Sequence, residues 1–231
     1  PLLHRHGVAA TFVGHPLADA IALTPPRSQA RASLGLTEDA TVVALLPGSR
    51  RSEVDLIAPL LAAAAARLAR SRPACQFVLP VAPGMKELVE SILRREAPAL
   101  GVLCLDGRSH DALAACDLAL VASGTATLEA ALFKRPMVIT YRLSWLNWQR
   151  MKRMRYQPWV GLPNVLCNEF VVPERIQDEA TPENLASDAL AWLDDPQRVR
   201  SVQARFDELH RMLRQDTARK ASDAIATIIQ G

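Results

Sequence analysis

The chain has 231 residues, long enough to bury a large core as one α/β domain or one domain with a helical appendage. Its residues are 49% apolar and 5% aromatic, with Ala and Leu abundant, which excludes disorder and favours a helix-rich α/β protein over an all-β one. A formal charge of +3 is small for this length and argues against a dedicated nucleic-acid binder.

From residue 41 onward, short apolar runs alternate with longer amphipathic stretches, the pattern of consecutive βα units. Strands are predicted at Thr41–Leu46, Gln76–Val81, Val102–Leu105, Leu118–Ala122 and Met137–Thr140, and a further one at Ala10–Val13. Helices are predicted at 53–70, 84–95, 109–115 and 126–134. Right-handed crossovers would bring the C-terminal ends of these strands to one sheet edge, where ligands bind. After about residue 144 the alternation stops. Val160–Pro173 reads as an extended, Pro-containing segment, followed by helices at 182–194, 196–214 and 217–230. The expected fold is thus a Rossmann-like parallel sheet flanked by helices over 1–181, with a C-terminal helical tail over 182–231.

Two turns are suited to an anion. Pro47-Gly48-Ser49-Arg50 follows the first predicted strand of the alternating series; Gly48 permits a tight reversal, and Ser52 with Asp55 resembles a capping box. Backbone N–H groups there, with Arg50 beside them, suit a phosphate, although an ordinary βα turn with solvated arginines fits equally well. Pro59 demands a kink or a helix that starts there. The stronger candidate is Ser123-Gly124-Thr125-Ala126, after the most apolar strand: small residues let backbone approach a ligand, and the following helix presents its N–H groups and positive dipole end. Glu129, one turn in, is either a ribose ligand or a plain helix-start acid. Asn164 could offer its amide to a sugar or phosphate, or simply complete a turn after Pro163. The sequence holds no P-loop, no dinucleotide fingerprint and no nucleophile elbow.

Four blocks in order, Phe12–Asp19, Leu45–Arg50, Ala122–Glu129 and Leu162–Asn164, together with Val171–Glu174, resemble the C-terminal portion of the lipid A disaccharide synthase family over essentially the whole chain. The resemblance implies the C-terminal half of a GT-B glycosyltransferase. Such an enzyme joins UDP-2,3-diacylglucosamine to 2,3-diacylglucosamine 1-phosphate with inversion, releasing UDP without a metal or cofactor. It places Gly48, Ser49 and Arg50 on the phosphates, Ser123, Gly124, Thr125 and Ala126 around the diphosphate, Glu129 on the ribose and Asn164 in the donor pocket. His15 is left between nucleotide contact and turn cap. The base that deprotonates the acceptor is expected in an N-terminal domain that these residues do not include, so UDP binding without synthase activity is expected of this chain. The absence of an initiator Met fits a chain that begins partway through a longer one.

Residues 142–160 combine Arg142, Arg150, Lys152, Arg153 and Arg155 with Trp145, Trp148, Tyr156 and Trp159 and no acid. Two readings stand: contact with an anionic inner-membrane surface, or an amphipathic helix with its aromatics packed inward. No apolar run reaches the roughly 20 residues that cross a bilayer. A cytoplasmic protein is the expectation, peripheral on that membrane under the first of these readings, with a homo-oligomer left open. Cys75, Cys104, Cys116 and Cys167 show no ligand or C-x-x-C spacing and read as buried, reduced thiols. A UDP-sugar 2-epimerase-like enzyme and a non-catalytic nucleotide-binding or membrane-docking module are the alternatives.

Overall fold

The computed structural model describes residues 6–8, 10–143 and 158–230. The 142–160 segment thus falls mostly outside the described residues. In chain order the elements are α1 (Pro16–Ala20), α2 (Arg27–Leu34), β1 (Val42–Leu46), α3 (Arg51–Ser71), β2 (Gln76–Val81), α4 (Lys86–Glu96), β3 (Val102–Asp106), α5 (Ser109–Ala115), β4 (Leu118–Ala122), α6 (Thr125–Leu132), β5 (Met137–Tyr141), α7 (Leu162–Cys167), β6 (Glu174–Ile176), α8 (Pro182–Leu193), α9 (Pro196–Leu213) and α10 (Thr217–Gln230).

The six strands form one parallel sheet in the order β3-β2-β1-β4-β5-β6. β1 and β4 lie at its centre and every one of their residues is buried, as expected of uninterrupted apolar runs covered on both faces. α4, α3 and α8 pack in a row along one face, while α2, α5, α6 and α9 pack in succession along the other. The chain winds outward from β1 through β2 and β3, then returns to β4 and winds the other way. The reversal point is therefore between β1 and β4, where Leu46 pairs with Val121.

Three expectations need correction. Ala10–Val13 is not a strand, and the sixth strand is the short edge strand β6, paired with β5. The Val160–Pro173 segment is not extended throughout: α7 occupies its first half, because Pro163 sits in the first turn, where a missing N–H costs nothing. α3 begins at Arg51 and continues through Pro59 as one 21-residue helix, so no helix starts at Pro59, and the Asp55 carbonyl is left without its intrahelical donor.

The C-terminal helices belong to the same core. Leu185, Ala189 and Trp192 of α8 and Phe206 of α9 are buried in it, and Trp192 Nε1 donates to the Met137 carbonyl at 3.1 Å. Ion pairs Arg67–Glu183 and Arg72–Asp194 tie α8 to α3. A seam also joins distant parts of the chain: His15 N–H donates to Leu213 O at 2.9 Å, and Asp19 accepts the N–H groups of Asp216 and Thr217 at 3.0 and 2.7 Å. Gly14 is required there, since a Cβ would lie 2.6 Å from Leu213 O. All four cysteines are free thiols, but only Cys116 is fully buried, where desolvation pushes its pKa to about 11; Cys75, Cys104 and Cys167 are partly exposed because they sit at element ends or on the edge strand β3.

Candidate functional site

A cleft of about 600 Å³ opens at the C-terminal edge of the sheet, over the reversal between β1 and β4. That volume falls in the range of small-molecule sites. It is walled by the turns after β1 (Pro47–Arg50), β2 (Ala82, Pro83), β3 (Gly107–Ser109) and β4 (Ser123–Ala126), with Glu53, Glu129 and Tyr141 facing in. The two turns singled out by sequence thus meet in one place, as the β1–β4 pairing requires.

The β4 turn is held by bonds to β5 and Val160 and by bonds within itself. Ser123 N–H donates to Thr140 O at 2.9 Å, and Ser123 Oγ donates to Val160 O at 3.3 Å. Gly124 caps α6 with φ +156°, a conformation that L side chains rarely adopt. Thr127 returns its N–H and hydroxyl to Gly124 O at 3.1 and 2.8 Å. Thr125 and Ala126 occupy the first turn of α6, where N–H groups have no intrahelical acceptor and the dipole is positive. Such an array accepts an oxyanion.

Glu129 is 19% exposed and lies 3.9 Å from Nε2 of His110, whose ring packs against Phe133 with centroids 5.2 Å apart. Its carboxylate is set to the side of the helix end, where it can meet a hydroxyl-bearing group beside the anion. Arg50 is extended into solvent at 80% exposure and reaches Glu53 at 3.2 Å.

Glu53 was not singled out by the sequence, and it changes the reading of the β1 turn. The capping acid of α3 is Glu53, at the third helical position after Arg50; Ser52 and Asp55 lie inside the helix and do not form the expected box. Its Oε2 accepts the N–H groups of Ser49 and Arg50 at 3.3 and 3.4 Å. Gly48, at φ +103°, leaves room for it, because a Cβ would sit 2.6 Å from that oxygen. Arg108, in a left-handed conformation beside Gly107, is a second cation of the cleft wall, held by Asp111 at 2.7 Å and Ser33 at 3.1 Å.

Asn164 and His15 stand elsewhere. Asn164 is fully buried and does not line the cleft; its Nδ2 donates to Val172 O and Glu174 Oε1 at 2.9 and 2.8 Å, and its Oδ1 accepts Val171 and Val172 N–H at 2.8 and 3.0 Å. All four of its bonding positions are used within the protein. His15 caps α1, its Nδ1 accepting Leu17 N–H at 3.2 Å, which is the turn-cap role.

A profile of the lipid-A-disaccharide synthetase family matches residues 1–229. The chain belongs to that family. It is 50% identical over 234 residues to the lipid-A-disaccharide synthase of Albidiferax ferrireducens, covering 100% of this chain and 60% of that protein. The chain therefore spans about 60% of the length of the curated relatives it matches. In fold it is similar to sucrose-phosphate synthase from Thermosynechococcus elongatus (TM-score 0.61, 19% identity, 99% of this chain and 55% of that one). It is also similar to a putative UDP-N-acetylglucosamine 2-epimerase from Listeria monocytogenes (TM-score 0.57, 17% identity, 94% of this chain and 53% of that one). Fold alone is shared by transferases and epimerases; sequence places the chain with the lipid-A-disaccharide synthetase family, and the epimerase alternative is not favoured.

Proposed function

We propose that this chain is the donor-binding portion of a lipid-A-disaccharide synthase. The whole enzyme transfers the diacylglucosamine of UDP-2,3-diacylglucosamine, with inversion, to 2,3-diacylglucosamine 1-phosphate and releases UDP. The observation that carries the reading is the convergence of the Ser123–Ala126 turn, Glu129 and the Arg50 turn on one cleft at the sheet reversal. The leaving diphosphate lies against the first turn of α6, where backbone N–H groups and the helix dipole stabilise the charge that grows as the glycosidic bond breaks. Glu129 takes the ribose hydroxyls, and Arg50 and Arg108 supply the cations of the rim.

Both carboxylates of the cleft are assigned other work in this reading: Glu53 accepts the Ser49 N–H, and Glu129 takes the ribose. The base that takes the acceptor proton accordingly comes from outside these residues. Residues 182–231 are proposed to pack across the interface with that second domain, α10 doing so through the apolar face that leaves Ile225 57% exposed. Residues 142–160 are proposed to meet the cytoplasmic face of the inner membrane, where diacylated substrates reside. Among the described residues no helix is long and apolar enough to cross it.

Calorimetric titration of the chain with UDP tests the reading. Saturable 1:1 binding and no disaccharide product are expected from the chain alone, with product appearing once the upstream domain is supplied. Absence of UDP binding, or disaccharide formed by the chain alone, counts against it.

A further inference from the structure

Glu174 opens β6 beneath the β4 turn and gathers three N–H donors. Oε2 accepts Val160 N–H at 2.9 Å; Oε1 accepts Gly161 N–H at 2.9 Å and Asn164 Nδ2 at 2.8 Å. The carbonyl of the same Val160 accepts the Ser123 hydroxyl at 3.3 Å. One residue therefore links the two ends, its N–H fixed by Glu174 and its C=O touching the turn that faces the cleft.

The loop is seated closely. A Cβ on Gly161 would lie 2.3 Å from Ile139 Cδ1 and 3.0 Å from Glu174 Oε1, so residue 161 lies against β5 with no room for a side chain. Ile139 pairs with Glu174 in the sheet, and Ser123 N–H is bound to Thr140 O, next along β5. Ser123 is thus tied directly to β5 and, through Val160 and Glu174, to β6. A carboxylate suits the hub because it only accepts, whereas a carboxamide turns an NH₂ toward one of the three donors.

We propose that Glu174 is a positioning residue for the donor diphosphate, acting through Val160 on the Ser123 hydroxyl; this rests on the reading that residues 123–126 hold that diphosphate. At 3.3 Å the Ser123–Val160 bond leaves the hydroxyl proton able to be shared with a phosphate oxygen, so the hold of Val160 on Ser123 persists when the ligand is bound. Asn164 is part of the same brace, fastening residues 171–172 while donating to Glu174.

A double-mutant cycle on UDP affinity, measured by calorimetry on the 231-residue chain, tests the relay. Glu174→Gln and Ser123→Ala are each expected to raise the UDP Kd about three- to tenfold, while Glu174→Gln added to Ser123→Ala raises it by less than about twofold. An unchanged Kd in Glu174→Gln, or fully additive effects, overturns the relay and leaves the UDP reading standing. A wild-type chain that does not bind UDP overturns both. If Glu174→Gln does not fold, the wild-type chain still decides: by linkage, saturating UDP must slow amide exchange at Val160 and Gly161, and unchanged exchange there overturns the proposal.

Discussion

The Glu53 side chain folds back over Ser49, its Oε2 accepting the Ser49 N–H at 3.3 Å. A carboxylate of the protein thus sits on the donors that the sequence offers to a phosphate, and its other oxygen meets Arg50 at 3.2 Å. Like charge at this distance opposes an incoming diphosphate. Glu53→Gln is expected to tighten UDP binding about three- to tenfold at low ionic strength, with the gain shrinking in high salt. Titrations at two salt concentrations check this; weaker binding in the variant would mean that Glu53 touches the ligand instead.

Glu129 should recognise hydroxyls rather than phosphate. Wild-type chain is expected to bind UDP about tenfold or more tightly than 2′-deoxy-UDP, since hydrogen bonds to a charged acceptor contribute about 1.5–3 kcal/mol. In Glu129→Ala the two ligands should bind alike. Persistent discrimination in the variant would remove Glu129 from the ribose site.

Gly124 and Gly48 separate backbone conformation from space. Around Gly124 nothing lies within 4 Å of an added Cβ, so Gly124→Ala acts through φ alone, at +156°. We expect it to cost about 1–3 kcal/mol and to misplace the α6 amides, lowering UDP affinity at least about tenfold. Gly48→Ala adds a collision with Glu53 to a φ of +103°, and should destabilise the fold more than Gly124→Ala does. Urea melts of the two variants, with UDP titrations, give the comparison.

Lys134 is the C-terminal left-handed residue of the α6 Schellman turn, at φ +59°, with its ammonium turned inward onto Leu132 O and His210. Burial pushes its pKa down to about 8 from 10.5. Between these values the unfolded chain binds more protons than the folded one, so this group makes stability rise with pH across that window and adds no slope below it. Because the side chain is only about half buried, the rise should be no more than about 1 kcal/mol. Lys134→Met should abolish it in urea titrations from pH 8 to 10. Burial likewise lowers His210 below 6.5, so acidification beneath that value withdraws stability.

The centre of the sheet was legible because β1 and β4 are unbroken apolar runs, a pattern that only full burial explains. β6 was not, since Glu-Arg-Ile is three residues long, polar and at an edge; its place is set by pairing with Ile139–Tyr141 rather than by its own pattern. α7 was hidden by reading Pro163 as a breaker when it stands at a helix start. In the site, the two turns that meet at the cleft were readable from small residues after strands. Glu53 was missed because capping boxes are sought behind Ser or Thr, and Arg50 stands there instead. Asn164 was visible but misplaced: its partners Val171, Val172 and Glu174 are brought round by a loop that has no periodic signal.

The seam between Asp19 and Thr217 spans 198 positions of sequence. The β1–β2, β2–β3 and β4–β5 pairs are each joined by one βα unit, which can fold as it leaves the ribosome. α1 cannot: its partners Leu213, Asp216 and Thr217 are made about 10–40 s later at ordinary elongation rates. During that interval α1 has α6 to pack on but not α9 or α10, so its docking is completed only when those helices arrive. This stretch is where a nascent-chain chaperone should be found, and where slowed synthesis of residues 213–217 would expose the molecule to misassembly.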